Sequence, residues 1–116
     1  MLRYRNTKTV VNGITFDSKK ESKYYIYLKS LLANGTIQNL ELQPRFELQE
    51  GFRGPDGAWI RPITYVADFK YTVPGTGETV VVDVKSRITE QDAVYRMKRK
   101  MFIYKYPTLK FVEIVK

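Results

Sequence analysis

The spacing of apolar residues changes several times along the chain, and each change marks an element. Val10-Val11 and Ile14-Thr15-Phe16 flank Asn12-Gly13. That dipeptide supplies the positive φ angles of a type I′ turn, so the segment reads as a tight β-hairpin preceded by a basic arm over about 1–9. The period then lengthens: Tyr24, Leu28 and Leu31 follow Glu21 at three, seven and ten positions, one face of a helix. Asp17 or Ser18 caps that helix, Ser18-Lys19-Lys20-Glu21 matches a capping box, and Gly35 suits the left-handed stop after about Ala33. Ile37 to Leu42 alternates as a strand ended by Gln43-Pro44, Phe46-Glu47-Leu48 begins another, and Gly51 to Gly57 reads as a loop.

Two further strands, Tyr65–Tyr71 and Thr79–Lys85, are joined by Pro74-Gly75-Thr76-Gly77. Thr89 is expected to cap a second helix that ends before Pro107, with Val94, Met97, Met101 and Tyr104 as its apolar stripe. Leu109 to Val115 forms the last strand. The order helix, three or more strands, helix, strand predicts one mixed α/β domain over residues 1–116, small enough to bury only about two-thirds of its unfolded surface.

Charge interrupts this pattern at two places. Thr79-Val80-Val81-Val82 runs into Asp83-Val84-Lys85, and side chains two apart on a strand share a face. Upstream, Asp68 interrupts Tyr65-Val66-Ala67. If the two strands pair, Asp68 and Asp83 come within reach of one hard divalent cation with the Lys85 ammonium beside it. The plain alternative makes them surface ion-pair partners of Lys70 and Lys85. Asp68-Phe69-Lys70 is itself an Asp-x-Lys, but choosing it leaves no suitable partner strand upstream, which favours Asp83-Val84-Lys85. Glu21 lies on the buried stripe of its helix, where a carboxylate is costly unless a cation meets it. Its other reading is the closing half of the capping box.

Composition narrows the chemistry. The chain has no Cys and no His, so disulfides, thiolate sites and imidazole ligands or bases are excluded, and a metal must be held by oxygen. That selects magnesium, with manganese substituting, over zinc. Twenty Lys and Arg against twelve Asp and Glu give +8 and a pI near 9.7, the footprint of a polyanion binder. Arg3, Arg5 and Lys8 in the arm, Lys19 and Lys20 at the first helix, and Arg96, Arg99 and Lys100 on the second are candidate phosphate contacts. Each cluster also reads as a solvated face. Phe52 and Trp59, beside Arg45, Arg53 and Arg61, are stacking candidates, and Trp59 equally suits the core. No apolar run approaches the roughly 20 residues of a membrane span, and a cytoplasmic protein is expected.

An acidic residue, a β-hairpin, then Asp/Glu-x-Lys on the next strand resembles the PD-(D/E)XK nuclease superfamily. Asn12–Glu21, Leu40–Pro44, Arg61–Phe69 and Val82–Lys85 make the chain similar to its small phage-encoded, Holliday-junction-resolvase-like members. Ala67 stands where the superfamily's name has Pro, and Asp83 where Glu is commoner. The resemblance implies a restriction-endonuclease-like core, α-β-β-β-α-β, with a mixed central sheet flanked by helices. It implies a magnesium-dependent DNA endonuclease acting on branched or recombination DNA, a homodimer if two strands are cut. Glu21, Asp68 and Asp83, with the Val84 carbonyl, would hold metal, and Lys85 would position or deprotonate water. The alternative is a non-catalytic DNA-binding accessory protein keeping the fold.

Overall fold

In the computed structural model, which describes residues 8–115, β1 (Thr9–Val11) and β2 (Ile14–Phe16) pair antiparallel around Asn12-Gly13. Their φ values of 51° and 78° match the predicted turn. Arg3, Arg5 and most of the arm lie outside the described residues. α1 (Lys19–Ala33) starts on Ser18, whose Oγ accepts the Glu21 N–H at 3.1 Å, and stops before Gly35 at φ 83°. Its buried face is Glu21, Ser22, Tyr25 and Leu28, with Tyr24 and Leu31 half-buried at the margin of the predicted stripe.

β3 (Gln38–Leu42) leads into an excursion. β4 (Arg45–Gln49) runs out, β5 (Phe52–Arg53) and β6 (Trp59–Ile60) form a small ribbon, and β7 (Ile63–Val66) returns antiparallel to β4. The loop expected over Gly51–Gly57 therefore carries strand structure, and Trp59, 55% exposed, is not core.

The single strand expected over Tyr65–Tyr71 is broken at Ala67-Asp68, because backbone groups there bond in two directions. The Ala67 N–H donates to the Pro44 carbonyl at 3.1 Å, whereas the Asp68 N–H donates to Val82 at 3.1 Å. β7 thus stays with β4, and β8 (Phe69–Val73) joins the main sheet between β3 and β9 (Glu78–Lys85).

The single helix opened by Thr89 is also replaced. Ser86 caps a four-residue helix, α2 (Arg87–Glu90), and Asp92 caps α3 (Ala93–Lys105) by accepting the Tyr95 N–H at 3.0 Å. Phase decides the buried face of α3. Tyr95, Phe102 and Tyr106 turn inward, leaving Val94, Met97 and Tyr104 exposed, with only Met101 of the predicted stripe packed against the core.

β10 (Lys110–Val115) closes a mixed sheet of order β10-β9-β8-β3, in which only β10 and β9 run parallel. Val80, Val82 and Val84 pack with Tyr25 and Leu28 of α1 on one face. Val81 packs with Phe102 of α3 and with Phe46 and Tyr65 on the other. β9, sandwiched between helices, is buried on both faces, as its run of Val demands. The architecture is mixed α/β, a mixed sheet flanked by helices. Among the described residues no helix is long and apolar enough to cross a membrane.

Candidate active site

Asp83 is where the double burial of β9 becomes a chemical problem. It follows Val81 toward the α3 face and is fully buried. Isolated, a carboxylate there would cost several kcal/mol or more, so its partners decide its state. Tyr65 Oη donates to Oδ2. The Lys85 ammonium forms an ion pair with Oδ1 at 2.7 Å. The lysine reaches back along its own strand, as the two-residue spacing predicts.

Strand register supplies the second carboxylate. Phe69 pairs with Val82 and Lys70 with Val81, so Asp68, one residue beyond Phe69, stands opposite Asp83. Its Oδ2 accepts the Val84 N–H at 2.7 Å. Burial raises the Asp68 pKa far above the carboxylate range. The charge of Asp83 adds to the rise, Lys85 opposes it, and the Glu21 charge and a hydrogen bond with Asp83 add further. Glu21 arrives from α1, 6% exposed, and burial followed by the Asp17 charge pushes it to about 7, against Lys85. For Lys85, burial works downward, but Asp83, Asp68 and Glu21 outweigh it and raise its pKa. Three carboxyls and one ammonium therefore share one electrostatic centre. Asp17 belongs to it too, although only Glu21 was picked out from that helix start.

Glu21, Asp68 and Lys85 open onto a polar cleft of about 110 Å³ that Asp17, Ser18 and Thr89 also line, while Asp83 lies buried beneath it. The cleft has room for an ion and a few waters. Among the described residues no group of three His, Cys, Asp or Glu side chains forms a ready-made metal cage. The donor chemistry nevertheless fits a hard divalent cation. The donors are all oxygen, and the charge of Asp83 raises the pKa of both Glu21 and Asp68.

Behind the cleft lies a support that the sequence reading missed. The Lys85 ammonium sits 5.1 Å from the centroid of the Tyr95 ring, Tyr95 Oη donates to Glu113, and Arg99 binds Glu113 at 2.7 and 2.9 Å. Glu113 is opposite Asp83 in the β10–β9 register. Only a lone carboxylate inside the apolar run of β10 hinted at it, because parallel pairing across a helix crossover is not visible locally.

The other candidates are placed as follows. Lys8, Lys19 and Lys20 are exposed, and Lys20 also lines the cleft. Arg96 and Lys100 lie with Arg99 along the outer groove of α3, but Arg99 is largely committed to Glu113. Lys70 lies 3.7 Å from Glu41, on the side of β8 away from Lys85. Gln43 is exposed at φ 50°. Its N–H binds the Asp68 carbonyl at 2.9 Å, so it fixes the backbone beside the site.

Fold and cleft together define a small basic α/β protein with a buried carboxylate–lysine centre. The chain belongs to the family described as "Protein of unknown function (DUF1064)", whose model matches residues 1–116. No curated protein matches the chain, and no solved structure does.

Proposed function

We propose that the protein is a divalent-metal-dependent endonuclease hydrolysing phosphodiester bonds in DNA. It would be a phage-type member of the PD-(D/E)XK superfamily with a restriction-endonuclease-like core. The observation that carries this reading is Asp68 opposite Asp83 on paired strands, with Lys85 on Asp83 and Glu21 at the same cleft. The order α1-β3-β8-β9-α3-β10 supports it as well. Magnesium or manganese, held by Asp68, Asp83 and Glu21 with the Val84 carbonyl, would acidify water and offset charge on the reacting phosphate. The protein's own groups do the rest. Val84 N–H and Tyr65 Oη orient the two aspartates, and the Lys85 ammonium, kept protonated by its acidic neighbours, stabilises negative charge developing at the phosphate. It acts as a positioned charge, not as the base.

A non-catalytic DNA-binding protein is the second reading. Asp83 is wholly buried between Tyr65 and Lys85, an arrangement that also suits a purely structural ion pair. Cleavage of duplex, single-stranded, flap and four-way-junction DNA in magnesium and manganese, with RNA counterparts, separates the two. Metal-dependent cutting of any DNA substrate supports the hydrolase. Binding without cutting anywhere supports the binder.

Phosphate contacts on α3 have their own test. Arg96→Ala with Lys100→Ala is expected to flatten the dependence of log affinity on log salt by roughly 0.9 per lost duplex contact, about 1.8 in all. Thermal stability should be unchanged, because both side chains are exposed. An unaltered slope would remove the α3 face from the DNA surface.

A further inference from the structure

Beside the catalytic cleft lies a second depression, about 460 Å³, between the first turns of α1 and the end of the β9–β10 pair. Its walls are Lys20, Lys23, Tyr24 and Tyr27, and its floor is Val84 and Ile114. Lys20 and Val84 also line the cleft, so the two depressions adjoin. The lining contains two ammonium groups, two phenol rings and no carboxylate. Tyr24 and Tyr27 stand edge to face at 5.6 Å, and Tyr24 is backed by Phe69 at 5.9 Å. Tyr27, supported on that stack, is 52% exposed.

We propose that this groove binds an unpaired DNA strand next to the scissile position. The inference rests on reading the cleft as a phosphodiester site. Nucleobases present stacking faces only when they leave the duplex, and aromatic side chains alternating with cations suit such a strand. Tyr27 offers the stacking surface, and Lys20 and Lys23 stand where the backbone phosphates of the same strand would pass. A fully paired duplex hides its base faces and gains nothing from Tyr27. A second copy of the chain is disfavoured as occupant, because among the described residues the charges lining the groove are positive and each copy carries +8. The substrate class is therefore DNA with a single-stranded segment abutting the cut, as at a branch, flap or frayed end.

The test is fluorescence anisotropy in calcium, with labelled oligothymidine and a blunt duplex, on wild type, Tyr27→Ala, Tyr27→Phe and Lys23→Ala. Tyr27→Ala should weaken oligothymidine binding by about 5- to 100-fold, while Tyr27→Phe keeps it within about two-fold. Lys23→Ala should flatten the single-strand salt slope by about 0.7. Duplex affinity should not respond to position 27. Equal losses on both probes, or none on oligothymidine, overturn the proposal. So does Tyr27→Ala lowering the sedimenting mass of the DNA-free protein, which would make the groove a contact between copies. Cleavage is scored separately. Tyr27-dependent strand binding without cutting in magnesium removes the hydrolase and leaves the groove, whereas cutting that ignores Tyr27 does the reverse.

Discussion

On the proposed hydrolase reading, Asp83→Asn is expected to abolish metal-dependent cleavage of a labelled four-way junction, yet to keep or tighten junction binding measured in calcium. Both halves follow from one change, because the amide is a poor cation ligand and removes a negative charge buried beneath the cleft. Lys85→Ala lowers single-turnover cleavage by about 10²–10³-fold, the typical loss when a preorganised charge is taken from a developing anion. Its effect on binding is slight. The lysine variant also leaves Asp83 buried without its cation, a loss of ~3–5 kcal/mol at full burial, so melting curves accompany the assay. Asp83→Asn/Lys85→Ala should recover that stability while staying inactive. Lys70→Ala, whose ammonium faces Glu41, should cut within a small factor of wild type. A dead Lys70→Ala beside an active Lys85→Ala would move the chemistry to the Asp68-x-Lys70 pair.

Without metal, the protein should lose stability as pH rises through neutrality. Glu21 titrates near 7 in the fold against an ordinary value of 4.5, and Asp68 is raised in the same direction. Between those limits the folded state holds protons that the unfolded chain has released. Unfolding free energy therefore falls with pH across that window, and the stabilisation is gone once both folded carboxyls ionise. A divalent ion favours the ionised forms, so magnesium should add little at about pH 5 and most above about pH 8. At a hundred-fold excess over Kd the gain is about 2.7 kcal/mol, roughly 10 °C in Tm for a domain of this size. Asp68→Asn, which can still accept the Val84 N–H, should flatten the metal-free pH profile and abolish the magnesium shift. Parallel melting profiles with magnesium and with chelator at every pH would mean that the carboxyls do not share a cation.

Local signals carried much of the fold. Asn12-Gly13, Ser18 with Gly35, and Pro74–Gly77 each impose a backbone geometry on their own, and each stands where it was expected. Asp83 and Lys85 were legible for a similar reason, since charge inside a run of Val is conspicuous whatever surrounds it. Misreadings arose where neighbours in space decide. Tyr65–Tyr71 is a convincing strand by composition, and only the Pro44 and Val82 carbonyls, both distant in sequence, split it. Asp92 rather than Thr89 caps α3 because Ser86 had already engaged Thr89. The phase of α3 follows Phe102 and Tyr106, which pack against Phe46, a residue more than fifty positions earlier. Tyr65, Tyr95 and Glu113 escaped notice because each acquires its role only through a partner on another element.

The split at Ala67-Asp68 has a consequence for where the chain tolerates change. Gln43 N–H to Asp68 O and Ala67 N–H to Pro44 O form a clasp across the neck of the excursion. A proline at 67 would lack the hydrogen that closes one side of it. With the neck locked, the tip from Glu50 to Arg61 hangs beyond the strands that anchor Phe46 and Tyr65. Lengthening, trimming or exchanging it should leave Asp68 in place, which makes it a site where an engineer could graft.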